Sequence, residues 1–352
     1  MLLEENKLLA PFTTFGIGGP TRWFVEAASE DEIVDAVAWA GEHGVALFVL
    51  GGGSNLLVSD AGFNGLVLRV GLRGITATDA LDNSSQRVFQ AAAGEDWEHC
   101  VQQTIEDGCA GLECLAGIPG TVGGTPVQNV GAYGQEVASV IERVRAYDIR
   151  EQSFVEFAAA ECGFAYRRSR FNSADRGRYI VTRVDYRLTL GGAPTLRYAE
   201  LQRAFQEGMQ PSLAEVAKQV RRIRKAKGML MIEGDPDSHN AGSFFKNPVV
   251  SDEKFRQIAA ASVTPPPCFP AGPEAENQDQ VKVPAAWLIE QAGFAKGYAL
   301  GAAAVSSRHT LALVNRGGAS AEEILALAGQ IATAVERRFG IRLEMEPVMV
   351  GF

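Results

Sequence analysis

Apolar residues recur at helical spacing over Asp31–His43, where Ile33, Val34, Val37 and Ala40 share a face, and run continuously over Val45–Leu50 before a set of glycines. Gly65–Val70 reads as a second strand. Arg87–Ala93 followed by Asp96–Asp107 repeats the strand-then-helix order, so the first half of the chain is mixed α/β. From Val140 onward the segments suit strands: Ile141–Asp148, Ser153–Phe157, and the β-branched and aromatic Tyr179–Leu190, closed by Gly191, Gly192 and Pro194. The second half predicts helices over Ser212–Lys227, Asp252–Ala261 and Ala285–Ala292 and a strand over Thr310–Asn315. A long helix over Ala321–Phe339 follows, capped by Ser320 and stopped by Gly340, and a strand over Ile341–Val350 finishes the chain. The Pro-rich stretch Thr264–Pro273 reads as a surface insertion. There is no internal repeat, and the main boundary falls near residues 191–212.

The length of 352 residues, at about 150 per domain, gives two or three domains. The formal charge of 33 − 42 = −9 sets a field that repels a phosphate backbone or an anionic membrane. At 46% hydrophobic and 21% charged residues, and with no apolar run near the roughly 20 residues that span a bilayer, the composition predicts a soluble protein. Glu4 and Glu5 stand where a signal peptide carries positive charge, which predicts a cytoplasmic chain. The five cysteines, Cys100, Cys109, Cys114, Cys162 and Cys268, never occur as Cys-x-x-Cys and read as buried or idle thiols. The four histidines, His43, His99, His239 and His309, are not at metal-ligand spacing, so no metal is expected.

Two glycine-rich stretches carry the candidate chemistry. Gly51, Gly52 and Gly53 follow a strand and let backbone N–H groups approach a phosphate, though the loop lacks the Gly-Lys-Ser/Thr of a P-loop and has Leu56 where a dinucleotide fingerprint needs glycine. Alone it is equally compatible with a tight turn. The second stretch holds four glycines in the eight residues Gly117–Gly124 and continues into Gln128–Gly134. So much backbone freedom in one connection predicts a long cofactor embedded between two loops rather than a plain structural turn.

Thr14–Gly19 (TFGIGG), Gly51–Leu57 (GGGSNLL), Gly117–Gly124 (GIPGTVGG), Gln128–Gly134 (QNVGAYG), Tyr166–Arg167 and Gly242–Pro248 (GSFFKNP) occur in that order. Together, from about Pro11 to Gly351, they resemble the UDP-N-acetylenolpyruvoylglucosamine reductase (MurB) family. The resemblance implies an α+β chain: an FAD-binding fold of the vanillyl-alcohol oxidase type in two α/β subdomains, residues 1–75 and 76–210, and a C-terminal α+β substrate domain, residues 211–352. It implies FAD as cofactor, NADPH as reductant and a UDP-sugar as substrate; the net charge argues against a nucleic-acid or membrane partner, and a monomer is expected. Hydride would pass from NADPH to FAD and then to an enolpyruvyl ether, giving UDP-N-acetylmuramate for peptidoglycan synthesis.

Hydride addition to an alkene conjugated with a carboxylate builds enolate charge, which calls for a cation or donors at the carboxylate and an acid at the α carbon. By the resemblance, Arg167 stabilises the enolate, Ser243 donates the proton and Glu346 assists. By local pattern alone, Ser243 after glycine is a turn or cap residue, and Arg167 sits in a basic patch with Arg168 and Arg170, of which at least one is solvated. Strand alternation puts Ile341, Leu343 and Met345 on one face and Glu344 and Glu346 on the other. That second face turns apolar at Val348, so Glu346 stands where partial burial favours a protonated carboxyl and Glu344 reads as solvated.

The resemblance assigns FAD contacts to Gly51, Gly52, Gly53, Ser54, Asn55 and Leu56, to Ile118, Pro119, Gly120, Thr121, Gly123 and Gly124, and to Asn129, Gly131 and Ala132. It assigns substrate contacts to Tyr133, Tyr198, Arg224, Lys227, Asn247 and His309. Arg224 and Lys227 also stand out by position: on the Ser212–Lys227 helix they fall at about 40° and −20° from Val220, on the apolar stripe. An inward cation needs an anion, from ligand or protein, or must snorkel at the helix end. Asn247 before proline otherwise reads as a turn initiator, and His309 as a packed neutral histidine. The Gly191–Tyr198 loop is permissive enough for a lid. Competing readings are another FAD-dependent oxidoreductase of the same fold, such as an alcohol or sugar oxidase, and a non-enzymatic nucleotide-sugar or flavin sensor.

Overall fold

The computed structural model describes residues 1–206, 208–271 and 279–352 and separates into two compact units. One comprises residues 1–7, 21–52 and 64–225; the other comprises 8–20, 53–63 and 226–352.

The first unit is built on two sheets around one apolar core. The four-stranded sheet has the order Glu4–Leu8, Pro20–Ala27, Phe63–Val70, Ala46–Leu50, with the last pair parallel. The helix Glu30–Glu42 starts at Ser29, whose hydroxyl accepts from the Glu32 N–H; three acidic residues occupy its first turn, where the helix dipole favours them. Its face of Ile33, Ala36, Val37 and Ala40 is buried. The second sheet is antiparallel, in the order Ser153–Ala158, Ile141–Asp148, Tyr179–Leu190, Asn83–Ala92, Ile75–Ala80, and Cys109–Ala110 pairs with the end of the longest strand. Tyr179–Leu190 is central, and its buried Ile180, Val184 and Tyr186 pack with Phe89, Val144 and Trp97. The helix Trp97–Glu106, capped by Asp96, and the helix Leu213–Ala226 complete the unit.

The second unit packs Ala321–Phe339 and Ala285–Gln291 against the three-stranded sheet Ala299–Leu300, Ala303–Val305, Leu313–Asn315. The long helix has the expected ends: Ser320 accepts from the Glu323 N–H, and Gly340 is left-handed at φ 60°. Val348–Val350 pairs in parallel with Leu56–Val58, joining residues almost three hundred positions apart in the chain.

Two strands are shorter than the pattern predicts. Of Ile341–Val350 only Val348–Val350 is strand: Ile341 and Leu343 are buried as the alternation requires, but Met345 is 37% exposed and Pro347 has no N–H for a ladder. Of Thr310–Asn315 only Leu313–Asn315 is strand, because the chain turns just before it, with the Ala312 N–H donating to the His309 carbonyl. Within the Pro-rich stretch, Phe269–Pro270 forms a short strand against Gln280–Lys282, while Gly272 and Pro273 lie outside the described residues. Cys100, Cys109, Cys114 and Cys162 are free and buried, as expected, and Cys268 is free and exposed.

Candidate active site

The first glycine loop leaves the strand Ala46–Leu50 and runs directly against the second. A Cβ on Gly52 would lie 2.5 Å from the Gly120 Cα, and one on Gly51 would lie 3.0 Å from the Thr121 hydroxyl. Only glycine lets these backbones meet so closely. The second loop is fixed from below: the Trp97 N–H donates to Gly120, the Val122 N–H to Glu95, and the Gly123 N–H to Ala93. Where the two loops meet, the buried Thr121 hydroxyl oxygen has no hydrogen-bond partner among the described residues. An orphaned buried hydroxyl costs about 1–3 kcal/mol unless something bonds it. Side-chain-free backbone around an unsatisfied hydroxyl fits a flavin dinucleotide, with Gly51, Gly52, Gly120 and Thr121 as the residues that would hold it.

Gly117, at the start of the second loop, is clamped through its peptide groups. Its N–H donates to the Glu98 carboxylate, and its carbonyl accepts from Arg224 Nε at 2.9 Å. Glu98 is itself paired with Arg221. Arg224 is 7% exposed; burial pushes its pKa down, and the Tyr133 hydroxyl and Glu98 push it back up. This inward cation therefore has protein partners. Ile118 and Pro119 are half-buried beside the clamp, and Gly124 has open space where a side chain would be.

Three of the assigned residues share an uncommon backbone. Asn129, Tyr133 and Arg167 have φ of 43°, 50° and 56°, left-handed values that cost non-glycine residues about 1–2 kcal/mol each. They form one network. Arg167 donates to the Gly131 carbonyl at 2.7 Å and to the Asn129 carbonyl at 3.4 Å, and its own carbonyl accepts from Asn172. The Asn129 side chain is buried and fully used: its amide donates to Glu136 and to the Ala165 carbonyl, and its oxygen accepts from the Ala138 N–H. The Gly131–Ala132 strand pairs with Gln135–Glu136 in a hairpin that carries Tyr133. The exposed Tyr198 ring packs edge-on against Tyr133 at 5.3 Å. Of the neighbouring basic residues, Arg168 is exposed and Arg170 pairs with Asp175.

In the second unit, Gly53 is left-handed at φ 63°, and a Cβ there would lie 1.8 Å from the Phe12 carbonyl oxygen; Ser54 and Leu56 beside it are half-buried. Ser243 is half-buried between Gly242, at φ 72°, and the buried rings of Phe244 and Phe245. Among the described residues its hydroxyl has no hydrogen-bond partner. The Phe244–Lys246 segment runs antiparallel to Glu344–Glu346: the Glu346 N–H donates to Phe244, the Lys246 N–H donates to Glu344, and Phe245 bridges Met345. Ser243 and the half-buried Glu346 are thus carried on adjacent paired segments, while Glu344 is exposed and pairs with Lys246.

Asn247 uses its side-chain oxygen to accept from the Ala285 N–H at the start of Ala285–Gln291. Lys227 is half-buried just past the Leu213–Ala226 helix. The half-buried His309 follows Arg308, which pairs with Asp235 and Asp237. Asp237 is buried: burial raises its carboxyl pKa, but bonds from Ser307 and Arg308 outweigh this and hold it below the usual carboxylate range. Glu98 and Asp237 are supports that the sequence pattern does not single out, since Glu98 meets Gly117 19 residues away and the Asp237 carboxylate meets Ser307 70 residues away along the chain.

Residues 235–350 match the model described as the UDP-N-acetylenolpyruvoylglucosamine reductase C-terminal domain, and residues 21–151 match an FAD binding domain. The UDP-N-acetylenolpyruvoylglucosamine reductase of Streptomyces coelicolor is 45% identical over 353 residues, covering 97% of this chain and 89% of that protein. The chain belongs to the UDP-N-acetylenolpyruvoylglucosamine reductase family. The relative from Thermobifida fusca is also 45% identical, over 99% of this chain and 98% of its own. Among solved structures, UDP-N-acetylenolpyruvylglucosamine reductase (MurB) from Thermus caldophilus covers 99% of both chains at 26% identity with a TM-score of 0.67. Membership of the UDP-N-acetylenolpyruvoylglucosamine reductase family bears out the expected α+β class and FAD-binding fold. Among the described residues no helix is long and apolar enough to cross a membrane.

Proposed function

We propose that this chain reduces UDP-N-acetylglucosamine enolpyruvate to UDP-N-acetylmuramate, with NADPH as reductant and FAD as cofactor, in peptidoglycan precursor synthesis. The observation that carries the reading is the pairing of Phe244–Lys246 with Glu344–Glu346, which holds Ser243, a hydroxyl without a hydrogen-bond partner among the described residues, beside the segment of a half-buried carboxyl, Glu346. FAD, held by the two glycine loops, would supply the hydride chemistry that links NADPH to the alkene of the substrate. The chain's own task is then to hold the substrate and deliver a proton.

Gly51, Gly52, Gly53, Gly120 and Thr121 hold the dinucleotide through close backbone approach, and the clamp on Gly117 keeps the second loop in place. Arg167 stabilises the enolate carboxylate, for which a planar, fixed guanidinium is suited. Ser243 donates the proton at the α carbon, with Glu346 as its aid. Tyr133 and Tyr198 in the first unit and Lys227, Asn247 and His309 in the second serve the substrate, whereas Arg224 supports the second glycine loop. Residues 1–75 and 76–210 serve the cofactor and 211–352 the substrate. The enzyme works as a cytoplasmic monomer in cell-wall biogenesis and so in cell shape and division. The test is direct: the purified protein is yellow, releases FAD on denaturation, and oxidises NADPH only when the enolpyruvyl UDP-sugar is added. NADPH oxidation that ignores the UDP-sugar, or oxidation of alcohols or sugars by oxygen, would favour an oxidase of the same fold.

A further inference from the structure

Asn55, assigned to the cofactor by its place in the Gly51–Leu57 loop, spends its side chain elsewhere. Its side-chain amide donates to the backbone carbonyl of Glu346 at 3.2 Å, and its backbone carbonyl accepts from the Val348 N–H at 2.9 Å. On the opposite side, the Glu346 N–H donates to the Phe244 carbonyl, the residue next to Ser243. Glu346 is flanked by the exposed Met345 and by Pro347, which has no N–H of its own to offer. The regular parallel pairing begins only after it, at Leu56 with Val348. Glu346 thus sits in an irregular stretch, its N–H bound by the Ser243 segment and its carbonyl by Asn55.

We propose that Asn55 is a positioning residue: its amide fixes the Glu346 peptide, and with it the direction in which the Glu346 carboxyl is presented beside Ser243. A single side chain would then set the end of the cofactor loop and the proton-delivering segment together. The inference rests on the reading of Glu346 as a participant in protonation. A hydrogen bond of this kind does not change whether Glu346 is present, only where it points, so its loss affects the step that uses the carboxyl.

The experiment compares Asn55→Ala, Glu346→Gln and the double variant as FAD-loaded enzymes, measuring flavin reduction by NADPH and reoxidation by the enolpyruvyl substrate separately. Asn55→Ala is expected to slow reoxidation about three- to tenfold more than it slows reduction, the range of one lost neutral hydrogen bond. In the Glu346→Gln background the same change should add little, because the group it positions is already gone. In the FAD-free protein, amide exchange of the peptide covering residues 344–348 should quicken in Asn55→Ala. Asn55→Asp, similar in shape but unable to donate when ionised, should slow reoxidation at least as much and recover as the pH falls and the new carboxyl regains its proton. Loss of FAD with equal slowing of both steps, an unchanged reoxidation rate, or full additivity with Glu346→Gln would each overturn the inference. If Glu346→Gln itself reoxidises at the wild-type rate, the reading of Glu346 fails first and takes the inference with it; if it slows and Asn55→Ala does not, only the role of Asn55 falls.

Discussion

The Nε of Arg224 donates to the carbonyl of Gly117 at 2.9 Å while the N–H of the same glycine donates to Glu98, so one peptide unit at the start of the second glycine loop is held from both sides. A guanidinium on the apolar stripe of a helix thereby supports the loop proposed to carry the flavin. Removing it leaves a carbonyl and the Tyr133 hydroxyl short of a donor, at a cost of about 1–3 kcal/mol. Arg224→Ala is therefore expected to lower the melting temperature and to lose FAD on gel filtration, whereas Lys227→Ala should keep FAD and weaken binding of the UDP-sugar or NADPH. Titration of each ligand into both variants checks this. An Arg224→Ala protein with full FAD content and stability but weakened UDP-sugar or NADPH binding would make Arg224 an anion ligand instead.

The left-handed backbone of Asn129 makes a second expectation unusual in sign. Asn129→Ala loses three side-chain hydrogen bonds and keeps the unfavourable φ; Asn129→Gly loses the same bonds but relieves the strain. The glycine variant should be the more stable of the two by about 1 kcal/mol. Urea unfolding of the pair measures the difference, and an alanine variant as stable as the glycine one would show that the strain is absent.

Asp237 gives a pH dependence. Its carboxyl pKa is depressed in the folded chain, so its ionised form contributes stability above the unfolded value of about 3.9, and that contribution is lost as the pH falls toward the folded pKa. Asp237→Asn should melt below the wild type at pH 7, and the gap should narrow as the pH is lowered from about 5 to 3. Thermal melts across that range test the direction; a gap that widens in acid would reverse the sign.

Thiol chemistry reports on the core. Burial pushes Cys100 and Cys162 up to about 12, and Cys109 and Cys114 are buried as well. A disulfide-forming dye at pH 8 should label Cys268 quickly and the other four only on unfolding. Fast labelling of any second cysteine in the native protein would contradict the buried assignment.

Much of this was legible along the chain because the signals are local. Tyr179–Leu190 and Ala321–Phe339 have the predicted limits, since β-branched alternation marks one and Ser320 and Gly340 mark the ends of the other. The glycine loops were legible as close-approach sites, and Gly52 against Gly120 shows why no side chain fits there. What could not be read depends on distant partners. The pairing of Leu56–Val58 with Val348–Val350 and the packing of residues 8–20 and 53–63 with the C-terminal half have no local pattern to announce them. The left-handed φ of Arg167 and Tyr133 is imposed by the network around Gly131, and neither residue type advertises it. Asn247 carries both a family match and a helix-capping bond, and only the bond is a matter of geometry.

In the proposed reaction Ser243 supplies the proton after hydride transfer. Reduction of the flavin by NADPH needs no acid at the substrate's α carbon, whereas reoxidation by the enolpyruvyl substrate leaves an enolate that must be protonated before product forms. Stopped-flow absorbance at the flavin band, recorded for each half-reaction in Ser243→Ala, separates the two. The account predicts flavin reduction close to the wild-type rate and substrate turnover reduced by about 10² to 10⁴, the usual contribution of a positioned proton donor. Equal slowing of both half-reactions, or of neither, would contradict it and pass the proton to Glu346 or to a bound water.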